Sequence, residues 1–346
     1  MKSVFDDAQR AHDPQFFLSS GAQFPCPEKP ARIDALLTAL RQRGGPIVQA
    51  PDAGLAPIAR VHPQRYLTFL QTIHARWARI PGASAEVIPN IHPADRNDGY
   101  PLSAVGQAGY HMTDTSCPIS AQTWHAAYAS AQTAIHTADL VLAGATSAYA
   151  LCRPPGHHAF GELAGGFCYL NNSAIAAQRL TDAGRRVAIL DVDLHHGNGT
   201  QGIFYNRPDV LTVSIHVHPE RYYPFFWGYP QEFGAGAGFG ANLNLCLERG
   251  TGDDGFLAAL HTALEKITLW GADTLVLALG LDAFQGDPFA GLAVTTPGFA
   301  RIGRAIAELR LPTTIVQEGG YLCPELGANL AAVLSGVDGS YGCTPT

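Results

Sequence analysis

Short apolar, β-branched runs alternate along the chain with helix-length amphipathic segments. The near-continuous runs VAILD (Val187–Asp191), VLTVSI (Val210–Ile215), TLVLAL (Thr274–Leu279) and TTIVQ (Thr313–Gln317) read as strands buried on both faces, as in a parallel sheet. A helical period marks Ala31–Arg43, Thr123–Ala138, Ser173–Ala183, Gly255–Trp270 and Gly298–Leu309. Strands separated by helices predict an α/β fold with crossover connections. In such sheets ligands bind beyond the carboxyl ends of the strands, so chemistry is expected just after each strand. No internal repeat or long linker divides residues 1–346, which predicts one domain. The stretch 81–115 holds scattered Pro, Gly and Asp with no sustained period. It reads as a long loop insertion, and such loops are usually functional or interaction elements.

Composition narrows the class. The chain is 47% hydrophobic and 15% charged, which excludes a disordered or coiled-coil protein. Its net charge is −7 and its only lysines are Lys2, Lys29 and Lys266, so no nucleic-acid partner is expected. No apolar run approaches the ~18 residues of a membrane span. The opening MKSVFDDAQRAHD is polar, and the seven cysteines form no CxxC pair. The expectation is a cytoplasmic protein with reduced thiols and no membrane association.

Four segments carry chemistry. Asp191-Val-Asp193-Leu-His195-His196-Gly-Asn198-Gly follows the strand VAILD. Alternate residues of a strand share a side, so Asp191, Asp193 and His195 can converge, and carboxylates with an imidazole suit an ion such as Zn²⁺. Arg153-Pro-Pro-Gly-His157-His158 makes a tight turn that presents two histidines on irregular backbone, where both rings can face one cavity as acid/base groups. Asp282, just after TLVLAL, either completes a two-carboxylate, one-histidine site with Asp193 and His195 or caps a turn. Asp287, before Pro288, reads as structural. Glu318-Gly-Gly-Tyr321 follows TTIVQ, and its glycines let a phenol swing into the cleft as an oxyanion donor.

Together the motifs RPPGHHA, GGFCYLNN, DVDLHHGNG, GLDAFQGDP and EGGY, in this order, resemble the histone deacetylase and acetylpolyamine amidohydrolase superfamily. The block LCRPPGHHA and the segment ISAQTWHAAYASAQTAI before it look most like the bacterial acetylpolyamine amidohydrolases. The resemblance implies an arginase-like α/β domain with a central eight-stranded parallel sheet flanked by helices. It implies removal of acetyl groups from small acetylated amines by metal-activated water. One Zn²⁺ per subunit, with Fe²⁺ as the other candidate, would be held by Asp193, His195 and Asp282. His158 would be the general base and later the acid, steadied by Asn198. His157 would be held by Asp191, and Tyr321 would bind the scissile carbonyl. Phe167, beside Gly166, would wall the acyl channel. A structural K⁺ or Na⁺ would sit on Asp191, Asp193, His195, Ser214 and Ile215, with a second on backbone around Phe204, Arg207 and Val210. The long loop would pack against a second subunit, giving a homodimer.

The chain also departs from its polyamine-selective relatives. Two positions that are acidic there fall on Val105 and Ser116, and the nearby acids are Asp95, Asp98 and Asp114. After VLTVSI the chain reads His216-Val-His218-Pro-Glu220-Arg-Tyr-Tyr223. Tyr223 is expected to face Phe167, while His218 and Glu220 either shape the mouth or are solvated. A protein acetyl-lysine deacetylase would share the same channel chemistry. A binuclear-metal ureohydrolase would need Asp-x-His-x-Asp, whereas the array here is Asp-x-Asp-x-His and Ala283 follows Asp282. A non-catalytic acyl-amine binder would have lost a ligand, a histidine or the tyrosine, and none is missing.

Overall fold

A computed structural model describes residues 1–96 and 99–341; Asp98 and Cys343 lie outside the described residues. In chain order the strands are β1 (Lys2–Val4), β2 (Phe16–Ser19), β3 (Ala22–Pro25), β4 (Ile47–Val48), β5 (Ser147–Ala150), β6 (Val187–Asp191), β7 (Val210–Val217), β8 (Asn242–Leu247), β9 (Thr274–Leu279) and β10 (Thr313–Gln317). The helices are α1 (Ala31–Arg43), α2 (Ala56–Ala59), α3 (Gln64–Trp77), α4 (Ala104–His111), α5 (Thr123–Leu142), α6 (Asn172–Asp182), α7 (Asn198–Phe204), α8 (Asp253–Trp270), α9 (Thr296–Ala307) and α10 (Leu326–Tyr341). Eight strands form one sheet in the order β4-β1-β5-β10-β9-β6-β7-β8, parallel at every pairing. β2 and β3 make a separate antiparallel hairpin.

Strand side chains alternate between two apolar layers. Ala188, Leu190, Leu275 and Leu277 pack beneath α1, α8, α9 and α10. Val187, Ile189 and Val276 pack beneath α5, α6 and α7. Both faces are therefore covered, which is why β6, β7, β9 and β10 read as apolar runs. The run beginning at Val210 continues two residues past Ile215, to Val217, because His216 is buried in the ladder opposite Cys246. Four strands of this sheet escaped the pattern, as did the β2–β3 hairpin. β1 and β4 are too short to show a period, β5 has only four residues, three of them small, and β8 carries Asn242 and Asn244.

The stretch 81–115 is not wholly irregular. Its last third forms α4, with the Ser103 side chain accepting from Gly106 N–H at 3.1 Å as an N-cap, the usual device for an unpaired first-turn donor. Gly106 and Gly109 hide this helix from a propensity reading. Val87 bridges Ile119, and Ala108 and Met112 join a third cluster with Tyr66, Phe69 and Tyr169.

The sheet order positions the site. β5, β10, β9, β6 and β7 are consecutive neighbours, so the loops leaving their carboxyl ends share one rim. Those loops carry His157 and His158, Tyr321, Asp282, the Asp191–Asn198 segment and Tyr223, respectively.

Candidate active site

Asp193 and His195 leave β6, and Asp282 leaves the adjacent β9. One ligand atom from each lies within 4.8 Å of the others, and all three residues are buried. His195 Nδ1 faces both carboxylates, 3.2 Å from Asp193 Oδ1 and 3.3 Å from Asp282 Oδ2. The carboxylates are aimed by backbone donors: Leu194 N–H to Asp282 Oδ1 (3.0 Å), His195 N–H to Asp193 Oδ1 (2.9 Å) and Gly319 N–H to Asp193 Oδ2 (2.8 Å). Apart from the approach of His195, Asp282 Oδ2 is buried with no donor among the described residues. Burial and the neighbouring Asp193 charge hold Asp282 above the ordinary carboxylate range. A Cβ on Gly319 would run into both carboxylates, so only glycine leaves the cluster open there. Two buried carboxylates around one imidazole make a donor set that could hold a cation. The donor set fits a single divalent ion of borderline softness.

The turn after β5 brings in both histidines. His157 Nδ1 lies 2.9 Å from Asp191 Oδ2, and His158 Nδ1 lies 2.7 Å from Asn198 Oδ1. Burial works against charge on His157, but Asp193 and Asp191 push it up to about 10. His158 goes the other way, driven well below the usual histidine value by burial and then by the charge on His157. Its ring centroid is 4.0 Å from that of His157 and 5.9 Å from that of His195. Tyr321 is 4% exposed, with its ring 4.5 Å from Phe289 and 6.0 Å from Phe167. Burial, and then the Asp282 charge, raise its phenol well above the ordinary value, so it stays a neutral donor.

Phe167 contacts Phe17 (5.7 Å) as well as Tyr321. Its φ of +65° follows Gly166 at +49°. For a non-glycine residue that conformation costs about 1–3 kcal/mol. It is held by Phe167 N–H donating to Ser116 O at 3.1 Å. Tyr223 stands edge-on to His158 at 4.9 Å, and its hydroxyl donates to Asp114 Oδ2 at 2.7 Å. Asp114 also accepts from Gly166 N–H (3.2 Å) and Ser116 N–H (2.7 Å). Asp114 is thereby tied to Gly166 and Tyr223. Val105 packs into the cluster beneath the insertion. His218 and Glu220 lie in one short turn. His218 Nδ1 accepts from Glu220 N–H at 3.3 Å, capping the short turn Pro219–Arg221.

Asp191 pairs directly with Ser214 across β6 and β7. Asp191 Oδ1 accepts from Asp193 N–H at 3.0 Å, and the Ser214 hydroxyl lies 2.8 Å from His216 Nδ1.

Reading the residues in sequence gave no role to three buried charged groups. Arg32 donates to Gly320 O (2.5 Å) and Glu318 O (2.7 Å), with its guanidinium 5.2 Å from the Tyr321 ring centroid. Arg32 and Arg153 both pair with Glu28, at 2.6 Å and 2.9 Å. Glu28 lies four residues before Arg32 but ahead of α1, and the other partners lie more than a hundred residues apart, so no helical spacing announces them.

The chain matches the histone deacetylase domain family over residues 26–337. It is 45% identical over 345 residues to acetylpolyamine amidohydrolase 1 of Pseudomonas aeruginosa, covering 98% of this chain and 99% of that one. It is 42% identical over 342 residues to the acetylpolyamine amidohydrolase of Mycoplana ramosa, covering 98% and 100%. A crystal structure of acetylpolyamine aminohydrolase from Burkholderia pseudomallei superposes with a TM-score of 0.94 at 46% identity, over 97% of this chain and 98% of that one.

Proposed function

The chain belongs to the histone deacetylase family, and on that premise we propose that it hydrolyses the acetyl amide of small acetylated amines, acetylpolyamines foremost. The observation that carries this reading is the convergence of five strand-end loops on one buried cluster of Asp193, His195 and Asp282, with His158 and Tyr321 beside it.

The family's amidohydrolases depend on a metal, and here Zn²⁺ is the ion proposed, one per subunit, with Fe²⁺ able to use the same donors. Bound there, such an ion supplies a Lewis acid for the acyl oxygen and a water of lowered pKa. The chain's own groups do the rest. Asn198 accepts from His158 Nδ1, which leaves Nε2 free of its proton, so Nε2 takes a proton from the attacking water and returns it to the departing amine. His157, cationic against Asp191, adds positive charge beside the cluster. Tyr321 donates its hydroxyl to the acyl oxygen as that oxygen gains charge. Phe167, Gly166 and Tyr223 are read as the walls of the acyl channel. A monovalent K⁺ or Na⁺ at Asp191, Asp193, His195, Ser214 and Ile215 belongs to the same reading, supported by the Asp191–Ser214 pairing.

The test is kcat/KM across acetylputrescine, acetylcadaverine, the N-acetylspermidines and an acetyl-lysine peptide. A small acetylamine is expected to be the best substrate. A peptide that outcompetes them all would replace this reading with protein deacetylation.

The assembly proposed is a homodimer with 81–115 at its interface, supported by Ile91 and Leu102 on that segment, 60% and 88% exposed. Sedimentation at micromolar concentration should give a dimer, and deleting the segment should give monomers with altered KM. A monomeric wild type, with activity indifferent to the deletion, would contradict it. A cytoplasmic location is part of the same proposal. Among the described residues no helix is long and apolar enough to cross a membrane.

A further inference from the structure

Glu318 is fully buried at the end of β10, yet its carboxylate meets neither a lysine nor an arginine. The two nearby guanidinium groups, of Arg32 and Arg153, pair with Glu28 instead. Three neutral donors converge on Glu318. Its Oε2 accepts from Gly156 N–H at 2.6 Å and from His157 N–H at 3.0 Å, and its Oε1 accepts from the Ser173 hydroxyl at 2.6 Å. Gly156 and His157 belong to the turn that presents both histidines. Ser173 belongs to α6, one residue after the helix starts. His157, Cys168 and Glu318 lie close enough to share an ion, but both Glu318 oxygens are taken by these donors, which argues for a clamp and against a metal site.

The residues that follow are pinned one by one. Gly319 N–H donates to Asp193 Oδ2 at 2.8 Å, Gly320 O accepts from Arg32 at 2.5 Å, and Tyr321 N–H donates to Asp287 Oδ2 at 2.9 Å. One four-residue segment therefore touches the metal-ligand candidate through Gly319, carries the phenol through Tyr321, and reaches the histidine turn through the Glu318 side chain. Burying a carboxylate is costly, and burial holds Glu318 up at about 7; the donors offset that cost only if they stay in place.

We propose that Glu318 is a positioning residue that fixes the His157–His158 turn relative to Tyr321 and the Asp193 cluster. It touches no reacting atom and acts through the backbone of that turn. The proposal rests on the roles assigned above to His158 and Tyr321, but the clamp itself is a property of the chain alone. Without it, two adjacent N–H groups lose their acceptor in the interior, and the turn can shift by fractions of an ångström. Displacement of catalytic groups by about 1 Å costs on the order of 10²-fold in rate.

Three variants of the full chain separate the outcomes. Glu318→Ala removes the clamp. Glu318→Gln keeps an oxygen that can accept from both N–H groups, while its amide can donate to the Ser173 hydroxyl. Ser173→Ala removes one donor only. Hydrogen exchange by mass spectrometry should show faster exchange of the Gly156 and His157 amides in Glu318→Ala, by tenfold or more, with α5 unchanged and protection restored in Glu318→Gln. On the best acetylamine, Glu318→Ala should lose kcat by roughly 10- to 100-fold at near-constant KM and metal content, Glu318→Gln should stay within a few-fold of wild type, and Ser173→Ala should fall between. If Glu318→Ala keeps the wild-type exchange of that turn, or if Glu318→Gln exchanges as fast as Glu318→Ala, the proposal is overturned. If the wild type hydrolyses no acetylamine, the functional reading fails while the exchange data still decide the clamp.

Discussion

Asp282→Ala is expected to abolish metal retention and hydrolysis together. The substitution takes one of three converging donors from a cluster whose ligand atoms lie within 4.8 Å of one another. It also strips Leu194 N–H of its acceptor, so the segment carrying Asp193 and His195 loses an anchor. Even outer partners of metal ligands are typically worth 10- to 100-fold in metal affinity, so loss of a ligand itself should exceed that. The wild type is expected to keep one equivalent of a divalent ion through desalting, and the variant should keep almost none while remaining folded. It should remain folded because deleting Asp282 also relieves its repulsion with Asp193. Elemental analysis of both proteins, with activity before and after chelation, checks this. Two stoichiometric ions per chain would return the binuclear reading, and full activity in the metal-free wild type would remove the metal from the reaction.

Why the cluster of Asp193, His195 and Asp282 was legible and the Glu318 contacts were not is a matter of range. β6 and β9 are buried on both faces, so their residues are apolar until the chain emerges at the rim, and the first polar residues after each run stand out. Asp191, Asp193, His195 and Asp282 are those residues. The α/β rule then says that such strand ends meet, and here β6 and β9 are direct neighbours. Short strands such as β1, and β4 at the sheet edge, are held by neighbours distant in sequence, and no local pattern can encode that. The Glu318 clamp and the Arg32 contacts bridge 161 and 288 residues respectively. α4 was hidden for a different reason. Its glycines lower its propensity, and packing against the α3 cluster compensates, a case of tertiary context overriding local preference. For His218 and Glu220, left open between the mouth and solvent, the local signal was Pro219, since a proline after a capping residue marks a turn.

His158→Ala and Tyr321→Phe are each expected to cut kcat by orders of magnitude while leaving the metal bound. Neither side chain belongs to the cluster of Asp193, His195 and Asp282, so neither change should release the ion. His158 is the histidine whose Nδ1 is tied to a neutral amide, Asn198, and which burial and the charge on His157 keep neutral. A neutral ring has its Nε2 lone pair free to accept a proton, and positioned proton transfer contributes about 10²–10⁴-fold. Tyr321→Phe deletes only a hydroxyl whose proton is firmly held, and removing one oxyanion donor costs about 10²–10³-fold. His157→Ala should cost less than His158→Ala, because His157 is paired with Asp191 through Nδ1 and contributes charge and no proton transfer. The measurements are kcat and metal content for the three variants on one acetylated amine. Near-normal kcat in metal-loaded His158→Ala would show that another group is the base. Loss of the ion from His158→Ala would make that histidine a ligand and redraw the coordination set. Greater damage from His157→Ala than from His158→Ala would exchange the two roles, placing the proton on the ring that Asp191 holds.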